Sequence, residues 1–205
     1  MELIRVRNGM FSTNTYLIGD KDSGCYVIDP SDDYMRIKRA IDDNFNGIIK
    51  AILLTHGHLD HIGSVDRLVD KYNCEVYLSD NDKMYVDGSL KRYPNNLQEF
   101  NVQLKYDTKD AYFVKDSNIV VYETPGHTPG SVCYLFKTEK VIFVGDTLFK
   151  GSVGRCDLTG GSQKELMKSL KIFKNIPDDV KVCCGHEAET TIKFEKQFNP
   201  YLKNI

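Results

Sequence analysis

The chain has 205 residues, 41% hydrophobic and 27% charged, with a net charge of −2, the profile of an ordinary folded domain with its own core. That charge excludes a globally basic nucleic-acid or anionic-membrane surface, and no apolar run approaches bilayer-spanning length. The start, "MELIRVRNGMF", lacks the long apolar stretch and small-residue cleavage site of a secretion signal.

Apolar β-type runs come first along the chain: "LIRVR", "NTYLIG" and "CYVID". After "DPSD", Tyr34, Ile37 and Ile41 sit at helical spacing, and Asn46-Gly47 supplies the stop. The strand "IKAILLT" then runs into "HGHLDHIGS". Ile62, Val65, Leu68, Val69 and Tyr72 form a second amphipathic face that starts inside this histidine cluster, and "CEVYLS" follows. The region from Asp80 to Asp116 is the least regular and reads as a surface excursion. Within it Tyr85, Arg92 and Tyr93 offer stacking surface and an anion partner for a substrate. "NIVVYET", "SVCYLF" and "KVIFVGD" are further strands. Ser162 and Glu165 form a capping-box signature ahead of Leu166, Leu170 and Phe173, then "VKVCCG" is a strand and a helix runs from about Glu187 to Gln197. Strands with interspersed helices imply two mixed sheets face to face with helices outside, in one domain spanning 1–205. Four of the six cysteines lie in apolar strand-like runs, where Cys behaves as a small buried hydrophobe, so reduced thiols and a cytoplasmic location are expected.

The chemistry concentrates in the histidines. There are five, and His56, His58 and His61 share one turn of chain with Asp60. His127 lies in "ETPGHTPGS" and His186 in "VCCGHE", each just beyond a strand, and Asp146 follows "VIFVG" in the same way. Strand C-terminal ends are where layered α/β folds place ligands. Neutral imidazole and carboxylate bind divalent zinc, iron or manganese. Seven such groups exceed one tetrahedral ion and divide into two sites sharing a carboxylate.

H-x-H-x-D-H, a His in a Gly/Pro turn, an Asp after an apolar strand and a final G-H, in that order, resemble the metallo-β-lactamase superfamily. The resemblance implies an α+β fold, a four-layer αββα sandwich with the metals at one edge of the sheets. It implies that His56, His58 and His127 hold one ion, that Asp60, His61 and His186 hold the second, and that Asp146 bridges them. The cofactors implied are two divalent ions, zinc foremost, with iron or manganese also compatible. Asp60 and Asp146 are then the catalytic carboxylates, and Asp29, closing "CYVID", is the acid that orients a ligating histidine. Two such ions about 3.5–4 Å apart activate a water and polarise a carbonyl.

"GDTLFKGSVGRCDLTGG" with "ETPGHTPGS" and "CGHE" is similar to the glyoxalase II branch, which hydrolyses thioesters such as S-lactoylglutathione. Arg155 stands where that branch carries a residue contacting glutathione, and Lys150 is the neighbouring cation. The sequence departs from larger members in two ways. The helical domain that completes their glutathione site has no counterpart after His186, and Ala188 replaces an expected tyrosine. With every histidine a ligand, no imidazole is left to protonate a leaving group, which favours a thiolate, whose free-thiol pKa is about 8.5. The expected partner is a small-molecule thioester, without nucleic acid or membrane. A mononuclear-iron persulfide dioxygenase and a lactonase on the same centre are the alternative activities.

Overall fold

The computed structural model of the chain describes residues 1–8, 11–89 and 103–203. One five-stranded sheet contains β1 (Glu2–Asn8), β2 (Thr13–Asp20), β3 (Gly24–Ile28), β4 (Ile49–Leu53) and β5 (Glu75–Tyr77), side by side in chain order. β1, β2 and β3 pair antiparallel, as their short connections permit. β4 and β5 run parallel, because α1 (Tyr34–Phe45), and then α2 (Leu59–Ile62) with α3 (Val65–Tyr72), cross over between them.

The second sheet begins with β6 (Ile119–Glu123), β7 (Val132–Phe136) and β8 (Val141–Gly145), all antiparallel. A small hairpin of β9 (Leu148–Phe149) and β10 (Ser152–Val153) follows, then α4 (Gln163–Ser169). β11 (Lys181–Cys184) joins β8 in parallel, and β12 (Thr190–Thr191) closes the edge before α5 (Ile192–Phe198) and α6 (Pro200–Lys203).

Strand alternation sorts the side chains into layers. Tyr16, Ile18, Tyr26, Ile28 and Leu53 of the first sheet meet Tyr134, Phe136, Phe143 and Cys183 of the second in the central core. Their neighbours Leu17, Cys25, Val27 and Ile52 face the other way, against Ile37, Ile41 and Phe45 of α1 and Leu68 and Val69 of α3. Leu135, Ile142, Val144, Val182 and Cys184 likewise pack outward onto Leu166, Leu170 and Phe173. Helix, sheet, sheet, helix is the expected αββα sandwich. All six cysteines are free thiols. Among the described residues no helix is long and apolar enough to cross a membrane.

Three expectations are corrected. The helical face from Ile62 to Tyr72 is broken at Gly63-Ser64, because Ser64 turns inward: its N–H donates to Pro30 O at 3.0 Å and its hydroxyl donates to Ser31 O. The last long helix begins at Ile192 instead of Glu187. Glu187 has φ 60°, Thr190 and Thr191 pair with β11, and the Thr191 side chain caps the helix. The region from Asp80 is no mere surface excursion, since Asp82, Tyr85, Val86 and Ala111 are buried. Arg92 and Tyr93 lie outside the described residues.

Candidate metal centre

The site is assembled from strand ends. β4 ends at Leu53, and the chain turns through Thr55 to His56, His58 and the short α2, which carries Asp60 and His61. β6 leads into the turn of His127, β8 into Asp146, and β11 into His186. All seven predicted ligands converge. His58 Nδ1 and His127 Nε2 are 3.0 Å apart, and His56 completes a group whose ligating atoms lie within 4.8 Å of one another. In the second group His61 Nε2 lies 3.4 Å from His186 Nε2 and 3.5 Å from Asp60 Oδ2, and His186 Nε2 lies 3.2 Å from Asp60 Oδ2. Asp146 stands between them. Its Oδ1 is 3.5 Å from His61, and its Oδ2 is 3.4 Å from His186 and 3.6 Å from His127.

These residues fit a pair of cations. Donor atoms about 2.0–2.1 Å from a tetrahedral ion lie roughly 3.3 Å apart, close to the 3.0–3.6 Å separations just given. His56 Nε2 and Asp146 Oδ1 are buried without a hydrogen-bond partner among the described residues, a costly arrangement for polar atoms that a bound cation would relieve. Burial, reinforced by neighbouring histidines, pushes His56 well down and His58 to about 3, so both rings are neutral and free to ligate. For His61 burial opposes the charged ring, but the carboxylates of Asp60, Asp146 and Asp29 outweigh it and lift the pKa to about 9. His186 behaves alike: burial opposes its charge, and Asp146 and Asp60 raise it to about 10. Asp146 is held down to about 2, burial notwithstanding, by His61, His186 and His127. Carboxylates that charge two imidazoles would hold a divalent cation by the same attraction.

The surrounding groups fix each ligand. Asp29 receives Thr55 N–H at 2.8 Å and Thr55 Oγ1 at 2.7 Å, and its Oδ2 lies 3.0 Å from His61 Nδ1, which turns His61 Nε2 to the cluster. Asp29, His56 and His61 also lie close enough to hold an ion, but the donors already on Asp29 make it an orienting group. His127 Nδ1 lies 2.8 Å from the Arg155 carbonyl, and His186 Nδ1 3.1 Å from the Phe11 carbonyl.

Four fixing groups escaped the sequence reading. The Thr13 hydroxyl donates to Asp60 Oδ2 at 2.9 Å. Asn14 clamps the His186 loop, its Nδ2 donating to Cys184 O and Glu187 O while its N–H donates to Gly185 O. Tyr16 donates to Cys184 O as well. Asp82 ties two histidine loops together. Asn14 and Tyr16 lie in "NTYLIG", which reads in sequence only as a strand.

The two expected substrate cations in the described residues have partners outside the seven ligands. Arg155 makes a two-pronged contact with Asp157, at 2.6 and 2.7 Å, with its side chain 54% exposed. Lys150 Nζ sits 5.3 Å above the Phe194 ring on α5. A neighbouring acid and an aromatic face, invisible as partners in sequence, take up both charges.

Residues 8–186 match the profile of the metallo-beta-lactamase superfamily, and the chain belongs to that superfamily. It is 32% identical to hydroxyacylglutathione hydrolase GloC of Haemophilus influenzae, over 95% of this chain and 94% of that one. It is also 32% identical to the probable metallo-hydrolase YqgX of Bacillus subtilis, over 100% and 99%. Among solved structures, the B3 metallo-beta-lactamase BLEG-1 superposes with TM-score 0.85 at 32% identity, covering 98% of this chain and 99% of that one. TTHA1623 in a di-iron-bound form gives 0.81 at 32%, covering 97% and 100%. ETHE1 from Myxococcus xanthus gives 0.75 at 28%, covering 98% and 84%. The chain is thus a metallo-hydrolase-type protein with a His/Asp cluster capable of binding metal.

Proposed function

We propose that the chain is a dinuclear metal-dependent thioesterase acting on the acyl ester of a low-molecular-weight thiol, of which S-lactoylglutathione is one example. The observation that carries this reading is that all five histidines fall into two groups joined by Asp146, so no imidazole stands free beside the centre. Two divalent ions, zinc foremost, would supply an activated water and a Lewis acid for the acyl carbonyl. The chain's residues do the rest. His56, His58 and His127 would hold one ion, Asp60, His61 and His186 the other, and Asp146 would span both. Asp60 is kept ionised, and the Thr13 hydroxyl fixes the direction of its Oδ2. An amine leaving group needs a proton delivered to it, whereas a thiolate departs as the anion, and a site without a spare acid suits the second. The name of the GloC relative supports the same class of substrate.

The test is metal analysis of purified protein alongside a panel of acyl thioesters, lactones and a persulfide, with oxygen uptake recorded. Two equivalents of metal and thioester turnover are expected. Asp146→Ala should lose activity by orders of magnitude, even with excess metal. One equivalent of iron with oxygen consumed on the persulfide would replace this reading by the dioxygenase, and turnover confined to lactones by the lactonase.

A further inference from the structure

Asp82 is wholly buried, on the 3-10 turn Asp80–Tyr85, in a segment that supplies no ligand to the cluster. Its hydrogen-bond partners are neutral. Gly57 N–H donates to Oδ2 at 3.0 Å, the Thr128 hydroxyl donates to Oδ2 at 2.7 Å, and Gly130 N–H donates to Oδ1 at 2.6 Å. A buried carboxylate whose hydrogen-bond donors are all neutral is costly, so its three donors must do more than fill space.

Their positions are specific. Gly57 lies between His56 and His58, and Thr128 and Gly130 stand one and three residues after His127. One carboxylate therefore spans the two loops that carry all three members of the histidine group. The approach is close at both ends. A Cβ on Gly130 would lie 2.7 Å from Asp82 N and Oδ1, and a Cβ on Gly57 2.8 Å from Tyr85 Cβ and 3.1 Å from Asp82 O. The glycines of "THGH" and "HTPG" thus admit the Asp82 turn between the loops. Tyr85, from the same turn, sets its ring edge-on to His58 with centroids 5.1 Å apart.

We infer that Asp82 is a positioning residue for the three-histidine half of the centre, fixing the distance between the His56–His58 loop and the His127 loop. The inference rests on the metal reading given above, and it adds that the three-histidine half has a support of its own, from a segment that carries no ligand. Thr13 and Asn14 serve the Asp60–His61–His186 half, Asp29 reaches His61 directly and His56 through Thr55 Oγ1, and Asp82 joins the His56–His58 loop to the His127 loop.

Asp82→Asn keeps the side-chain volume but sets an amide NH2 against a backbone N–H donor at one end of the span. Zinc binding is measured by competition with a chromophoric chelator, together with the visible spectrum of cobalt-substituted protein and the thermal midpoint of the metal-free protein. Wild type should bind two equivalents. Asp82→Asn should keep one at wild-type affinity and weaken the other ten- to a hundredfold, with loss of one set of cobalt bands. Thr128→Val, which removes one of the three donors, should show the same selective loss on a smaller scale, and it decides the matter should Asp82→Asn not fold. Two equivalents at wild-type affinity in the variants, or equal weakening of both with a lowered metal-free midpoint, would overturn the positioning role. Wild-type protein that takes up no zinc would instead overturn the metal reading.

Discussion

Arg155 enters the centre through its backbone. Its carbonyl meets His127 Nδ1 while its guanidinium turns to Asp157. An exposed pair of this kind is worth only about 0.2–1 kcal/mol, so the side chain is engaged but not immobilised. Arg155→Ala should therefore leave metal affinity unchanged and alter kcat/KM toward an anionic thioester by less than about fivefold, since the energy at stake is under about 1 kcal/mol. Asp157→Asn should free the guanidinium and lower KM for the anionic substrate while sparing a neutral one. Michaelis constants for one anionic and one neutral thioester check both, and a tenfold loss in Arg155→Ala would give that side chain the recognition role its sequence position suggested. The ligands themselves were legible because histidine is scarce and each stands just past a strand. Asp82 was not. It is one of 29 acidic residues, and nothing in its neighbours "SDNDK" marks it as the buried one.

At the scale of elements, the nine longer strands among the described residues stand out as apolar runs, because burial on one or both faces leaves a period that can be read. β9, β10 and β12 have two residues each, too few for any period, and they exist because neighbours hold them. Glu195 is the chief of these neighbours. Fully buried on α5, it accepts from Gly151 N–H at 3.0 Å, Asn199 Nδ2 at 2.8 Å and Thr190 Oγ1 at 2.7 Å, so one side chain ties both the β9–β10 turn and the β12 edge to the helix. Asn199 adds a bond to Ser152 O at 3.0 Å. Glu195→Ala leaves these donors buried and unanswered. A loss of about 2–3 kcal/mol is expected, a fall of roughly 5–10 °C in the thermal midpoint for a chain of this size. Scanning calorimetry would register it, and a shift under 2 °C would show that solvent replaces the carboxylate.

For the whole molecule, the layers followed from where apolar residues recur, but the sequence carries no detectable repeat, and the arrangement of the sheets does. Three antiparallel strands and a fourth joined in parallel make β1–β4, and β6, β7, β8 and β11 make the same pattern again. An aspartate follows the third strand of each set, Asp29 and Asp146, and a histidine follows the fourth, His56 and His186. Two half-proteins built to one plan therefore face each other through their sheets, and the cluster straddles the seam. His56, His58, Asp60 and His61 come from the first, and His127, Asp146 and His186 from the second. A cation there would act as a rivet between them. The chain divided at the exposed Lys115 and produced as two pieces should reassemble more tightly with zinc than with a chelator, by mass action on the joined state alone. Size-exclusion chromatography of the mixed pieces measures this, and association indifferent to zinc would mean that the apolar seam between the sheets holds the halves together unaided.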